Sequence, residues 1–232
     1  MNDSISTVEL VNSMGSAKTI VDVARVSFDK GFITDCELKA VKMYPELDDR
    51  DKRLIRYLWT HKHTTPFRHN FFSFHIVAPI FVLRQWMKHQ VGCSWNEASG
   101  RYIQFKNGVY SPQSFRESIK NVKQGSGGEL PRDLQLQCVE IYEEACRDSL
   151  HAYNRLLERG VCREQARMLL PLSLYTSAVW SCSLHALLHF FELRLDQHAQ
   201  KETRDFAMAV YEIIYNHKDW AFVLDFCLKG ES

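Results

Sequence analysis

The chain has 232 residues, 45% hydrophobic and 25% charged, the proportions of an ordinary globular protein with ample material for a core. A formal net charge of +1 argues against a nucleic-acid or membrane-surface protein, so any anion binding must come from local placement of cations. Seven cysteines without a CxxC pair, no leader-like N-terminus and no membrane-length apolar run predict a reduced cytoplasmic protein, and ten histidines without HExxH or Cys/His zinc spacing argue against a metal site.

In chain order, a short strand is expected at Val8 to Asn12. A helix follows over Ala17 to Val26, with Ile20, Val23, Ala24 and Val26 facing inward and Gly31 breaking it. Asp48 and Asp49 can cap a helix from Arg50 to His61, with Leu54, Ile55, Leu58 and Trp59 on one stripe. The interval His61 to His69 holds three histidines, two cations and a proline; it reads as a polar surface turn or, from its place before an apolar strand, as the wall of a site. Phe72, Phe74 and Ile76 alternate with Ser73, His75 and Val77, the period of a strand with one buried face. Pro79 then suits the first turn of a helix that places Ile80, Leu83 and Met87 on one side, Arg84 and Lys88 on another, and ends at Gly92. Ser94 to Phe105 is expected as loop and strand, Tyr102 and Gln104 alternating with Ile103 and Phe105.

Residues 107–132 read as a flexible insert. Its glycine cluster, Gly125-Ser126-Gly127-Gly128, lacks GxGxxG and the lysine of a phosphate loop. A long helix from Leu134 to Arg159 carries Cys138, Ile141, Tyr142, Ala145, Leu150, Tyr153 and Leu157 inward, and Gly160 closes it. A short helix at Arg163 to Leu170, a strand at Leu172 to Val179, and helices at Ser183 to Leu195, Asp196 to His217 and Trp220 to Leu228 complete the chain. No repeat or domain boundary interrupts residues 1–232. The expected fold is therefore α+β, a single domain with a modest, mostly antiparallel sheet and several long helices.

The densest chemistry lies in Arg84-Gln85-Trp86-Met87-Lys88-His89-Gln90 and Ser94-Trp95-Asn96-Glu97-Ala98-Ser99-Gly100-Arg101-Tyr102, directly after an apolar run. Polar groups held beside a core need partners, and a ligand is one way to supply them. Each residue also has a plainer reading. Arg84 and Lys88 can form a solvated basic face. Arg194 can pair with Glu192 or Asp196, His198 can cap or pack, Glu97 can be a counter-ion for Arg101, and Cys93 can be a small packing residue.

The interval Arg84 to Tyr102 resembles the signature of the flavin-dependent thymidylate synthases, Arg-His-Arg, seven or eight residues, then Ser, with Asn-Glu-x-Ser-x-Arg-Tyr intact as Asn96 to Tyr102. Further blocks in family order carry the likeness over most of the chain: Ala24 to Phe28, His61 to Phe67, Ala78 to Phe81, Ala166 to Thr176 and Leu193 to Gln200. The hallmark itself departs, reading Lys88-His89-Gln90. Lysine keeps a charge but loses the planar fork of arginine, and glutamine loses the charge. Arg68 stands where the family carries an acidic residue, and Ser183 and His189 where it often carries asparagines.

The resemblance implies the family fold and the conversion of dUMP to dTMP, with methylenetetrahydrofolate as carbon donor and FAD reduced by NADPH as hydride source. It implies small-molecule partners, no nucleic acid, no membrane and no metal. It also implies a homotetramer whose active sites are shared between subunits. By the same resemblance, Gln85, Lys88, Glu97, Ser99, Gly100, Arg101, Arg167 and Arg194 contact dUMP, with Arg194 as the catalytic residue that activates C5. His63, Lys88, His89, Gln90, Glu97, Ser183, His189 and His198 form the flavin-contacting set. A dUMP hydroxymethylase-like relative, or a flavin- and nucleotide-binding protein without turnover, remains an alternative. The unrelated cysteine-dependent thymidylate synthase places its nucleophile after proline, and no Pro-Cys pair occurs.

Overall fold

A computed structural model describes residues 3–27, 46–105, 108–120, 125–217 and 219–230. The helix break expected at Gly31 lies outside them. Four antiparallel strands, β1 (Thr7–Met14), β2 (Phe71–Pro79), β3 (Cys93–Glu97) and β4 (Tyr175–Ser183), form one sheet in the order β1-β2-β4-β3. The alternation expected in β2 is present. Phe72, Phe74 and Ile76 pair with Cys182, Trp180 and Ala178 of β4, and all six side chains are buried on one face. On the other face Ser73 meets Ser181 and His75 meets Ser177, each at 2.8 Å.

Helices cover the buried face. In α1 (Ala17–Val26) the inward residues are Ala17, Ile20 and Val21; Val23 and Ala24 are half-buried, and Val26 is exposed. Asp48 caps α2 (Asp49–Thr60) by accepting from the Asp51 amide at 2.7 Å, as expected, and Ile55 and Leu58 are buried. Pro79 acts as the N-cap of α3 (Ile80–Trp86) rather than lying inside it, and α3 buries Val82, Leu83 and Trp86. The buried stripe is thus rotated from Ile80/Leu83/Met87, because the Trp86 ring stacks on Phe190 at 4.8 Å. The helix ends well before Gly92, which at φ +72° forms the turn into β3.

Two expected strands move for one reason each. The Ile80 and Phe81 amides at the start of α3 donate to the Leu174 and Leu172 carbonyls at 3.0 and 2.9 Å. Leu172 and Leu174 thereby satisfy a helix end, and β4 begins at Tyr175. After β3 the chain turns at Ser99, whose carbonyl accepts from the Tyr102 and Ile103 amides at 2.9 and 3.1 Å, so the alternation at 102–105 is not a strand.

The long helix is α4 (Arg132–Glu158). It buries Cys146 and Tyr153, while Leu134, Leu136, Ile141 and Ala145 are exposed, Ile141 and Ala145 against expectation. Next come α5 (Arg163–Ala166) and a 3₁₀ turn at Arg167–Leu169. Ser183 caps α6 (Leu184–Arg194), which buries Leu184, Leu187, Leu188, Phe190 and Phe191 and so sits at the centre of the core. The next helix, α7 (Lys201–Tyr215), starts later than expected because Asp196 folds back to accept the His198 amide at 2.7 Å. The chain ends in α8 (Trp220–Leu224) and a wide turn at Asp225–Lys229. Within the described residues of the expected insert, Arg116 bridges Glu129 in an isolated antiparallel pair. No helix among the described residues is long and apolar enough to cross a membrane.

Candidate active site

The C-terminal turns of α3 and α6 and the N-terminal turn of α7 converge on a cleft of about 1110 Å³. Arg84, Lys88, Arg116, Arg194, Lys201 and Arg204 line it together with Gln85, Gln197, His198 and Gln200, and among the described residues no carboxylate does. Lys201 is paired with Asp205 and Arg116 with Glu202. Arg84, Lys88, Arg194 and Arg204 have no carboxylate partner among the described residues. Unpaired cations gathered in a concavity favour an anion. A phosphorylated nucleotide, and the diphosphate of a flavin dinucleotide, fit that charge and volume.

Arg194 closes the last turn of α6. Its Nε donates to His89 Nε2 at 3.0 Å and its Nη2 to the Gln85 carbonyl at 3.4 Å. The remaining N–H groups of the fork are left for the cleft. Glu192 and Asp196, the plainer partners, are engaged elsewhere, Glu192 beside His189 at 3.5 Å and Asp196 with His198 Nδ1 at 2.8 Å. Burial, with the Arg194 charge and His189 beside it, pushes the His89 pKa down to about 4. His89 is therefore neutral and an acceptor at Nε2. Burial also lowers the Arg194 pKa, but a guanidinium keeps its proton.

A second group lies on the loop after β3. Ser99 Oγ accepts from the Arg101 backbone N–H at 3.4 Å and its Nε at 3.2 Å, and the Arg101 guanidinium sits 5.1 Å over the Tyr102 ring. Gly100 is buried: a Cβ there would stand 2.7 Å from the Phe105 ring and 3.4 Å from Arg167 Cδ. A side chain here would press on the Phe105 ring, while its contact with Arg167 would be an ordinary one. Arg163 fixes the same loop by donating to the Tyr102 carbonyl at 3.1 Å. Glu97 is exposed at the end of β3 and forms no ion pair with Arg101, so the counter-ion reading is not what the structure holds.

The structure thus brings Gln85, Lys88, Arg194 and His198 to one cleft with His89 behind them, and Ser99, Gly100, Arg101 and Arg167 to another place. No residue of the second group lines the cleft of the first. His189 lies beside His89, ring centres 5.8 Å apart. Ser183 is buried behind Gly92 and spends its oxygen on the Ala186 amide at 3.2 Å. Gln90 is exposed on the same turn. His63 is exposed 6.1 Å from the Tyr57 ring, apart from these contacts.

Sequence reading missed four residues around Gln85. Gln85 Nε2 donates to Gln200 Oε1, Thr203 Oγ1 donates to Gln85 Oε1 at 3.3 Å, Gln200 Nε2 donates to Glu202 Oε2 at 2.9 Å, and Arg116 Nη2 donates to the same carboxylate. The nearest signal was Gln200 at the end of a family-like block. Arg116 had none, being in a stretch read as an insert.

The family described as thymidylate synthase complementing protein matches residues 9–217. The chain is similar to a flavin-dependent thymidylate synthase of Thermus thermophilus, 42% identical over 225 residues, covering 96% of this chain and 77% of the relative. It is similar to another from Thermosipho melanesiensis, 39% identical over 226 residues, covering 97% and 93%. Among solved structures it resembles the UMP/dUMP methylase PolB from Streptomyces cacaoi. Bound with 5-Br UMP, that structure gives a TM-score of 0.80 at 29% identity, covering 97% of this chain and 96% of that one. Bound with 5-Br dUMP, it gives 0.80 at 31%.

Proposed function

The chain belongs to the flavin-dependent thymidylate synthase family, and from that premise we propose that it methylates dUMP reductively to dTMP, with methylenetetrahydrofolate as carbon donor. FAD, reduced by NADPH, supplies the hydride when bound. The observation that carries the reading is the Arg194 guanidinium, fixed by His89 and the Gln85 carbonyl at a cleft of unpaired cations.

In this reading Arg194 grips the pyrimidine and stabilises the negative charge that develops as C5 becomes nucleophilic, without surrendering a proton. Neutral His89 keeps the guanidinium aimed and adds no charge of its own. Gln85 and Lys88 meet the nucleotide from the cleft side. Ser99, the Gly100 backbone and Arg101 hold its phosphate and Arg167 joins Arg194 on the pyrimidine, with Glu97 at the loop's entrance. His63, Lys88, His89, Gln90, Glu97, Ser183, His189 and His198 are the residues that would hold the flavin. The neutral imidazole and the unpaired Lys88 suit an electron-rich, anionic ring system and its diphosphate.

The separation of the Ser99 group from the Arg194 cleft within one chain supports an active site completed by a neighbouring subunit. A homotetramer would do this, and the exposed apolar residues of α4 offer it a surface. One sheet and one core among the described residues support reading residues 1–232 as a single domain. The unpaired cysteines among the described residues support a cytoplasmic location.

The test is the mass of the nucleotide product after anaerobic incubation with dUMP, FAD, methylenetetrahydrofolate and NADPH. A gain of one methylene, matching dTMP, is expected. A hydroxymethyl product would move the assignment to a C5-hydroxymethylating relative. Unchanged dUMP from folded protein would mean that Lys88 and Gln90 no longer support turnover.

A further inference from the structure

Gln85 is wired on its far side to a buried carboxylate. Glu202, 9% exposed at the start of α7, takes Arg116 as its counter-ion at 2.8 Å and accepts from Gln200 Nε2 at 2.9 Å. Burial opposes its charge. Hydrogen bonds from its own backbone amide, Gln200 and Arg116 outweigh that and hold the carboxyl below its usual range.

We propose that Glu202 is a positioning residue that sets, through Gln200, which way round the Gln85 amide faces the nucleotide cleft. A carboxylate only accepts, so Gln200 must turn its nitrogen to Glu202 and its oxygen to Gln85. Gln85 must answer with nitrogen, which leaves its oxygen for the Thr203 hydroxyl, and that hydroxyl donates at 3.3 Å. Both amides are thereby assigned by one charge at the end of the chain. Gln85 lines the cleft, so what it still offers there is one N–H and one lone pair in a fixed order. A uracil edge presents a carbonyl beside N3–H, the complement of that pair, whereas a cytosine edge presents the reverse. Arg116 comes from the stretch read as an insert, which ties that stretch to specificity at the site.

This inference rests on the reading that Gln85 meets the nucleotide, and the experiment separates the two. Flavin-loaded wild type, Gln85→Ala, Glu202→Gln, Gln200→Ala and the double variant Gln85→Ala/Glu202→Gln are compared for dUMP KM and kcat, and for the ratio of dCMP to dUMP dissociation constants. Gln85→Ala and Glu202→Gln should each raise the dUMP KM about tenfold with kcat within about twofold, and the double should be no worse than Gln85→Ala. Glu202→Gln should also lower the dCMP/dUMP ratio about tenfold, because the amides are then free to flip. Gln200→Ala keeps the Arg116–Glu202 pair and should reproduce the KM rise even where Glu202→Gln folds poorly. An unaltered dUMP KM in Gln85→Ala would remove Gln85 from the nucleotide site. A KM rise in Gln85→Ala, combined with an unchanged dCMP/dUMP ratio in Glu202→Gln or with multiplying effects in the double, would overturn the relay alone.

Discussion

Arg194 donates to Nε2 of His89 across 3.0 Å, so this histidine accepts with one nitrogen and must carry its single proton on the other. Its pKa of about 4 in the fold stands below the ordinary 6.5 of an unfolded chain. Between those values the unfolded state binds a proton that the native state refuses, so stability rises with pH across the window. The His89 contribution is complete above 6.5 and is lost as pH falls through about 4. His89 is only partly buried, and solvent screening reduces the contribution to roughly 1 kcal/mol. Urea unfolding near neutral and mildly acid pH should show a steeper loss for wild type than for His89→Gln. Equal slopes would place the His89 titration at its unfolded value.

Arg194→Ala should lower kcat by at least about 100-fold while leaving circular dichroism and Tm near wild type, since the residue holds no ion pair. Arg194→Lys restores the charge without the fork and should recover only part of the rate. Near-normal turnover of Arg194→Ala would remove this residue from the mechanism.

Much of this arrangement was legible in the residues. The period-two apolar run at Phe72 to Ile76 marked the central strand, and the Asp48 cap marked α2, because burial and capping act over a few neighbouring positions. Arg194 and His89 were singled out by likeness to a family, 105 positions apart, and the contact between them needed the fold. What escaped was decided by long-range pairing. The Leu172 and Leu174 carbonyls were claimed by the start of α3 rather than by a strand. Ile141 faces outward although its spacing is that of a core residue. Arg116 reaches Glu202 across 86 positions, which no local pattern encodes.

Cys93 lies within the signature yet makes a poor nucleophile. Burial pushes its thiol pKa up, and it sits in β3 opposite Cys182. Cys93→Ser should retain turnover within about threefold, as expected of a small packing residue. Complete loss of turnover with normal flavin content would instead assign it a covalent role.

Lys88 is exposed, faces the cleft and has no carboxylate partner among the described residues, so its charge is available to an anion. Lys88→Gln should raise the dUMP KM about tenfold and leave Tm unchanged, with the effect shrinking as salt rises. Deoxyuridine, which lacks the phosphate, should show no such difference in binding. An equal loss for nucleoside and nucleotide would mean that Lys88 acts elsewhere than at the phosphate.

Away from the cleft, Asp51 is 1% exposed and binds Lys18 at 2.6 Å and Arg25 at 2.7 Å, clamping α1 to α2. Removing one member of such a set leaves the other charges uncompensated, a loss of about 3–5 kcal/mol for a fully buried pair. Lys18 and Arg25 keep some access to water, and buried Asp22 lies within reach of both charges. Asp51→Ala should therefore cost about 2–3 kcal/mol in urea unfolding, below the value for a fully buried pair. Turnover per folded molecule should be unchanged, because none of the three residues lines the cleft. The comparison also decides what the family-like block at Ala24 to Phe28 is for. A stability loss with normal kcat makes Arg25 a structural cation. A kcat loss at unchanged stability would bring Arg25 into the active site, through a neighbouring subunit rather than its own.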